Sequence, residues 1–438
     1  MTSIHRPHSN NNNPDNVVEL KRRPAAKTVT GGYTPDTLEE ISWALGVDWR
    51  YNTRAKRREI RSHHTNRKWA PLTDRIRDDF LAAAGKQYEW TNTRGRQTWD
   101  PPDTKFERML NSVMFRNETD PFIEWLETEV AGHMNSDRFD EQSPLTEEWL
   151  INLFGVEDTE LNRWAAKYAP LAAIWRAYQP GCQLRQFPVL IGKQGLGKSQ
   201  AVKHLFPPEH EEWYGDELNF YATPKEQAEA MAGKVIVEIA EMIGSRKADR
   251  ERMKAFLTRT DDGQHRAAYA RGPEPNPRRC CFVATSNDPE CLPDDPTGNT
   301  RFVVIRLGDT AAEAAETYMA EHRLDIWAGA LLLYRLGVGA QLPRHLFPQQ
   351  AEINEQHRSK NFVLEDAVDR LEYEQGTITQ LMERVNVEER WHVKFAELLK
   401  QNGWHKERKR VDGKPVTLWF PPCTPTKQSS KHDTLGEF

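Results

Sequence analysis

The octet Gly192-Lys193-Gln194-Gly195-Leu196-Gly197-Lys198-Ser199 fits the phosphate-loop pattern G-x-x-x-x-G-K-[ST]. The octet directly follows the apolar run Phe187-Pro188-Val189-Leu190-Ile191. Residues 199–205 can form a helix that begins at the end of the octet. Glycines allow a loop to curl so that successive backbone N–H groups face phosphate oxygens, and a helix N-terminus adds its dipole. The pattern therefore predicts a nucleotide-binding loop, and the alternative is a glycine-rich structural turn.

The predicted contacts with ATP come from this loop and from the first turn of the helix. Lys198 can reach the β and γ phosphates, and the Ser199 hydroxyl can bind Mg²⁺. The full set of predicted nucleotide-binding residues is Gly192, Lys193, Gln194, Gly195, Leu196, Gly197, Lys198, Ser199 and Gln200.

Hydrolysis also needs a carboxylate near the end of a neighbouring strand, and the run Val235-Ile236-Val237-Glu238-Ile239-Ala240-Glu241 offers two. Because side chains alternate along a strand, Glu238 and Glu241 point to opposite faces unless the strand bends or ends between them. We predict that Glu241 activates water and that Glu238 assists on the metal side, so that Ser199, Glu238 and Glu241 form the metal-binding set. For either glutamate the alternative is a surface or salt-bridge carboxylate.

Two further polar residues are candidates for the same chemistry. Asn287 follows the run Cys281-Phe282-Val283-Ala284 and is predicted to position water against the γ phosphate, the alternative being a turn residue. Arg301 precedes the run Phe302-Val303-Val304-Ile305 and is predicted to act as an arginine finger on a neighbouring subunit's nucleotide. Arg271 and Arg306 compete for that role, and a plain surface arginine is the alternative.

Four apolar runs, at 187–191, 235–237, 281–284 and 302–305, are separated by helix-length segments. Such runs are typical of parallel strands covered on both faces, so we predict an α/β fold. The predicted organisation is a disordered arm (1–30), a small basic domain (31–110), a helical collar (111–180), a nucleotide-binding α/β domain (181–340), a linker with a helix (341–370), a C-terminal module (371–422) and a flexible tail (423–438).

Composition narrows the functional classes. The chain has 438 residues with a net charge of −5, so any nucleic-acid affinity must come from local basic patches. No run approaches the roughly 18 apolar residues of a membrane span, which argues against membrane association. The N-terminus has no apolar signal region and the 5 cysteines show no C-x-x-C spacing, so we expect a reducing, cytoplasmic location.

The C-terminal module supplies a local basic patch. Two short amphipathic helices precede a predicted hairpin that turns at Asp412-Gly413, an order that is typical of a winged helix. We predict that the basic strand of this hairpin binds DNA, although winged modules also mediate protein contacts. The predicted DNA-binding residues are Lys406, Arg408, Lys409 and Arg410.

The order of these motifs resembles the virulence-associated E family: the phosphate loop, then Val-Glu-Ile-Ala-Glu, then Ala-Thr-Ser-Asn and Thr-Gly-Asn-x-Arg-Phe, within about residues 115–335. Those proteins are replication ATPases of phages and mobile elements, related to superfamily 3 and primase-associated helicases of the AAA+ class. The resemblance implies an AAA+ core, ATP hydrolysis between subunits of a homo-oligomeric ring, expected to be a hexamer, movement along DNA, and a bacterial host cell. It also implies a pore hairpin at residues 266–271, so that Arg266, Tyr269, Arg271, Arg278 and Arg279 could contact phosphates and stack on bases, for which a solvated charged loop is the alternative.

The chain departs from the larger members of that family. It contains no Asp-x-Asp pair of the kind that would bind metal in a primase, so we predict no primer synthesis and expect a separate partner primase. The resulting hypothesis is an ATP- and Mg²⁺-dependent DNA helicase or replication initiator. The rival hypotheses are a nucleotide-gated regulatory or defence switch that does not unwind DNA and a small-molecule kinase.

Overall fold

The computed structural model describes residues 27–29, 32–64, 68–92, 95–143, 145–220, 222–240, 253, 255–263, 275–292, 299–357, 364, 367–371, 375–411 and 414–422. Its strands are β1 (Lys27–Val29), β2 (Val47–Asn52), β3 (Arg57–Ser62), β4 (Trp69–Pro71), β5 (Tyr88–Asn92), β6 (Gly95–Thr98), β7 (Glu118–Thr119), β8 (Phe187–Ile191), β9 (Tyr214–Gly215), β10 (Ile236–Ala240), β11 (Cys281–Ser286), β12 (Phe302–Arg306), β13 (His405–Val411) and β14 (Lys414–Phe420). Its α-helices are α1 (Pro35–Leu45), α2 (Asp74–Gln87), α3 (Asp103–Arg116), α4 (Pro121–Trp125), α5 (Ala131–Met134), α6 (Leu145–Phe154), α7 (Glu160–Tyr178), α8 (Lys198–Lys203), α9 (Pro224–Met231), α10 (Ala315–Arg335), α11 (Phe347–Gln356), α12 (Ile378–Arg384) and α13 (His392–Gln401).

A five-stranded parallel sheet forms the centre of the chain, in the order β12-β8-β11-β10-β9. The mixed α/β fold with a parallel sheet is therefore confirmed. The chain leaves β8 toward one side of the sheet and returns through β11 to β12 on the other side, so β8 lies at a topological switch point. In open parallel sheets, ligands bind outside the carboxyl ends of the strands at such a point.

Pro188 lies in the inner strand β8, where a proline weakens the middle of a ladder but is tolerated at its first position. The register explains why it fits. Pro188 pairs with Val303 of β12, whereas the ladder with β11 begins one residue later, where Val189 pairs with Ala284. The missing proline N–H therefore precedes the β11 ladder, which keeps its full set of donors.

Three hydrophobic cores organise the described residues, running from Val29 to Met114, from Phe122 to Leu346 and from Leu364 to Trp419. The predicted boundary at 110/111 falls inside α3, because α3 buries Val113 and Met114 in the first core. The predicted collar and the parallel sheet share the second core, so the boundary at 180/181 does not separate two packing units.

Two further predicted boundaries need correction. The predicted disordered arm (1–30) is wrong for residues 27–29, because they pair in parallel with β5 and Val29 is buried in the first core. The sequence predicts a linker with a helix at 341–370; a helix is present as α11, but it packs on the sheet and does not act as a linker. The amides of Gln350 and Asn354 each donate a hydrogen bond to the carbonyl oxygen of Phe302 in β12, at 2.8 and 2.9 Å. The remaining part of the predicted arm and the tail at 423–438 lie outside the described residues.

The N-terminal module contacts the central sheet through the turn between β2 and β3. Arg54 in this turn is buried, and its Nε lies 2.8 Å from Oδ1 of Asp120. Its Nη1 donates to the carbonyl oxygens of Lys234 and Arg279, at 3.3 and 3.0 Å. Asp120 also accepts a hydrogen bond from Arg279 at 3.0 Å and caps α4 through the N–H of Phe122. The buried carboxylate of Asp120 therefore links the N-terminal module to the central sheet and also caps the N-terminus of α4.

An aromatic cluster joins α4, which precedes the sheet in sequence, to the edge of the sheet at β9. The ring of Phe122 lies 5.3 Å from the rings of both Trp213 and Trp327, and Phe206 contacts both indoles. Trp213 immediately precedes β9, so this cluster sets the position of that two-residue strand. None of the helices in the described ranges is long and apolar enough to cross a bilayer.

Candidate functional site

The glycine-rich loop connects the carboxyl end of β8 to the start of α8. Gly195 and Gly197 have φ values of 81° and 90°, a region in which side chains with a Cβ are strained. A Cβ on Gly192 would lie 2.9 Å from Cδ2 of Leu196, so the loop also closes tightly on itself. The sequence pattern thus corresponds to a curled backbone that begins a helix at the edge of the sheet, which is the geometry expected of an anion-binding loop.

Lys198 is buried at the start of α8, and its ammonium group has three oxygen acceptors. The Nζ atom lies 2.8 Å from the carbonyl oxygen of Gly192, 2.9 Å from that of Lys193 and 2.8 Å from Oδ1 of Asn287. Burial lowers the pKa of Lys198, and the nearby Glu238 carboxylate opposes that shift. A phosphate group can replace these neutral acceptors with charged oxygens, which form stronger hydrogen bonds with an ammonium group.

Glu238 is the centre of a second hydrogen-bond network, and only 1% of its surface is exposed. Its Oε1 accepts a hydrogen bond from the Ser199 hydroxyl at 2.7 Å and another from Thr285. Its Oε2 accepts a hydrogen bond from the hydroxyl of Tyr214. Burial, followed by the bond to Glu238, raises the pKa of Tyr214, so its hydroxyl stays protonated and remains a donor. Each carboxylate oxygen is therefore oriented by a hydroxyl group.

This network fits a divalent cation of the magnesium type. Mg²⁺ is commonly bound by one or two carboxylates together with phosphate oxygens and water, and a hydroxyl next to a carboxylate supplies that donor set. Ser199 and Glu238 are the residues that would hold it. Among the residues that the structure describes, no group of three His, Cys, Asp or Glu side chains forms a separate metal cluster.

Two cavities flank the loop. One, of about 340 Å³, lies between the loop and the carboxyl ends of β10 and β11, where Ala240, Thr285, Ser286 and Asn287 line it. The other, of about 550 Å³, lies between the loop and residues 309–316, which lead into α10. Lys198 and Ser199 also line the first cavity, whereas the second has the larger volume and contains neither.

The structure brings part of the predicted site together. Lys198, Ser199, Glu238 and Asn287 meet at the carboxyl edge of the sheet, although Lys198 and Asn287 are 89 residues apart in sequence. Glu241 lies outside the described residues, as do Arg266, Tyr269 and Arg271. The prediction that Arg278 and Arg279 contact DNA is wrong, because Arg278 is buried in an ion pair with Asp262 and Arg279 pairs with Asp120. The described part of β10 reaches Ala240 and includes Glu238.

The predicted arginine finger, Arg301, lies at the amino ends of the parallel strands, whereas the glycine-rich loop lies at their carboxyl ends. Arg301 precedes β12, and its carbonyl oxygen accepts a hydrogen bond from the N–H of Phe187 at the start of β8. Five strand residues at about 3.3 Å each separate this edge from the carboxyl edge, or about 16 Å. Arg301 is therefore remote from the loop of its own chain. Its competitor Arg306 is exposed at the carboxyl edge, where it pairs with Ile191.

The four predicted DNA-binding cations lie in β13, which forms an antiparallel hairpin with β14. All four side chains are exposed. The register divides them between the two faces of the hairpin. Lys406, Arg408 and Arg410 share one face with Trp419, and Lys409 lies on the other.

Sequence reasoning missed Tyr214 and Thr285. Thr285 occurs in the Ala-Thr-Ser-Asn motif, where its position one residue after the apolar run was the available signal. Tyr214 lies in a strand of two residues, which is too short to show a pattern. It approaches Glu238 only because β9 pairs with β10, with Tyr214 opposite Ile236.

Comparison with known proteins gives a family and several distant structural likenesses. A family model described as the virulence-associated protein E-like domain matches residues 134–360, just over half of the chain. The apo C-terminal region of NrS-1 is similar over 89% of this chain and 100% of its own, with 14% identity and a TM-score of 0.45. A point mutant of Thermotoga maritima RuvB is similar over 57% of this chain and 91% of its own, with 15% identity and a TM-score of 0.21. No curated protein sequence matches the chain.

Proposed function

The chain belongs to the virulence-associated protein E-like family, and on that premise we propose that it is an ATP- and Mg²⁺-dependent AAA+ ATPase that drives DNA unwinding or replication initiation for a phage or mobile element. The observation that carries the proposal is the junction of two networks at the carboxyl edge of the sheet. Lys198 with Asn287 and Ser199 with Glu238 lie on the same side of a curled glycine loop. This arrangement supplies a cation for phosphate, a polar side chain for water and a donor pair for metal.

Each residue has a role in this proposal. The backbone of Gly192 to Gly197 and the ammonium group of Lys198 hold the phosphates of ATP, while Ser199 and Glu238 hold Mg²⁺, which neutralises developing charge. Asn287 leaves Lys198 when phosphate enters and orients the attacking water. Glu241, which follows Ala240 at the rim of the smaller cavity, removes a proton from that water.

The remoteness of Arg301 from its own loop supports hydrolysis between subunits. Because Arg301 is too far from its own loop to contact a nucleotide there, any contact with a nucleotide in this proposal is with that of a neighbouring copy, where such residues stabilise the charge of the transition state. We therefore include in the proposal a ring oligomer, a hexamer by analogy with the related helicases. DNA contacts come from the C-terminal winged-helix-like module and from residues 266–271. A separate primase is the proposed source of primers.

The nucleotide chemistry is tested by ATPase assays on single variants. Lys198→Ala and Glu238→Gln should each lower turnover by at least about 100-fold, the usual scale for the loss of one group that stabilises transition-state charge. Lys203→Ala is the matched control, because Lys203 ends the same helix and pairs with Glu211 at 3.1 Å. Undiminished turnover in Lys198→Ala and Glu238→Gln would contradict the assignment.

The intersubunit role of Arg301 is tested by mixing two inactive proteins. Arg301→Ala retains Lys198, and Lys198→Ala retains Arg301, so mixed rings should contain some interfaces with both groups and recover activity. Recovery is not expected if both residues act within one chain. Strand displacement on a forked duplex then separates unwinding from switching, because a nucleotide-gated switch would hydrolyse ATP and leave the fork intact.

A further inference from the structure

The cations of the β13–β14 hairpin differ in what surrounds them. In an antiparallel pair, directly opposite residues point to the same face. Lys406, Arg408 and Arg410 are opposite Trp419, Thr417 and Pro415, respectively. Trp419 is buried in the third hydrophobic core with residues of α12 and α13, so these three cations lie on the face that meets the helices. Their own side chains are exposed.

On the other face of the hairpin, the positive charge of Lys409 is paired with an acidic side chain. Lys409 shares this face with His405 and Glu407. Its Nζ lies 3.4 Å from Oε2 of Glu407 and 4.3 Å from the centre of the Phe420 ring. His405 stacks on the same ring with a centroid distance of 5.6 Å. Lys409 therefore covers a partly buried aromatic ring and pairs with an acid.

No such compensation occurs for the other three cations. Within the described part of the chain, no side chain forms an ion pair or hydrogen bond with the side chains of Lys406, Arg408 or Arg410. Alternate residues of an antiparallel strand are about 6.8 Å apart, so the three form a row with regular spacing. That spacing is comparable to the interval between successive phosphates on one nucleic-acid strand.

We propose that Lys406, Arg408 and Arg410 bind consecutive phosphates of one nucleic-acid strand, and that Lys409 does not take part. This inference deepens the DNA-binding part of the proposed function and rests on it. Contacts with phosphate carry no base information, so binding by this row is independent of sequence. The ligand is the sugar-phosphate backbone, either of a single strand or of one strand in a duplex.

The test is the salt dependence of DNA binding by the full-length protein, measured by fluorescence anisotropy without nucleotide. Each phosphate contact contributes about 0.9 to the slope of log affinity against log salt for duplex DNA and about 0.7 for a single strand. Arg408→Gln should reduce the slope by one such contact. The triple variant Lys406→Gln/Arg408→Gln/Arg410→Gln should reduce it by about 2.7 on a duplex or about 2.1 on a single strand.

Lys409→Gln is the matched comparison, because it removes the same charge from the adjacent position on the opposite face. We expect its slope to equal that of the parent protein. An equal loss in Lys409→Gln and Arg408→Gln, or an unchanged slope in the triple variant, would overturn the proposal. So would binding of the parent to vesicles of phosphatidylserine with none to DNA.

Because these measurements use no ATP, their failure is distinguishable from failure of the ATPase assignment. Circular dichroism and the midpoint of thermal unfolding should match the parent in every variant, since all of these side chains are exposed.

Discussion

Removing Arg54 should separate the N-terminal module from the central sheet. Loss of one partner from a buried ion pair costs about 3–5 kcal/mol, because the other charge stays buried without compensation. In Arg54→Ala, Asp120 keeps its hydrogen bond from Arg279 at 3.0 Å, so we expect the lower end of that range. The carbonyl oxygens of Lys234 and Arg279 also lose a donor. We therefore predict that Arg54→Ala lowers the free energy of unfolding by about 3 kcal/mol.

Urea unfolding followed by tryptophan fluorescence measures this loss, and thermal unfolding should shift by about 6–12 °C, at about 2–4 °C per kcal/mol. Arg57→Ala is a close control. Its partner Glu59 also keeps a second arginine, since Arg50 lies 2.8 Å away, but the Arg57 side chain is 46% exposed. Exposed pairs contribute about 0–1 kcal/mol. Equal losses in the two variants would refute the argument that burial of Arg54 determines its contribution.

Three further predictions concern the loop, the metal-binding carboxylate and pH. Gly197→Ala should destabilise the protein by about 1–2 kcal/mol, because φ is 90° there, and should abolish the calorimetric signal of ATP binding. Tyr214→Phe should raise the Mg²⁺ concentration for half-maximal ATPase about 10–100-fold by freeing one oxygen of Glu238, whereas Tyr178→Phe, which removes a bond to Glu127 instead, should not. Burial raises the pKa of Asp48, but hydrogen bonds from His63 and Arg61 outweigh it and leave that pKa below its ordinary value of 3.8. In urea titrations, the parent protein should therefore have a higher free energy of unfolding than Asp48→Asn. This difference should be full above pH 3.8 and should shrink as the pH falls through the lower folded-state pKa of Asp48.

The parallel α/β core could be predicted from the sequence because its evidence is local. The glycine loop at 192–199 is contiguous, and the strands β8, β10, β11 and β12 correspond to short apolar runs bounded by helix-length segments. Burial on both faces removes the alternation of polar residues from such strands, so each is visible within a few residues of chain. The candidate roles of Lys198 and Ser199 follow from the same octet.

Tertiary structure decided how the site is completed. Glu238 receives hydrogen bonds from residues 24, 39 and 47 positions away, and no local pattern reports which strands will be neighbours. Tyr214 enters the site only because a two-residue strand pairs with β10. The location of Arg301 at the far edge of the sheet follows likewise from parallel pairing with β8.

The same distinction applies to the basic hairpin and to the module boundaries. Composition identifies the cations of β13, but cross-strand register assigns them to faces and shows which one Glu407 neutralises. The buried carboxylate of Asp120 joins segments 66 and 159 residues apart. Sequence by itself thus determined the loop and the strands, since local backbone preferences and apolar patterning specify them. Which strands became neighbours, and which side chains paired with Glu238 and Asp120, depended on tertiary packing. In the low dielectric of the interior, each buried charge requires a specific partner.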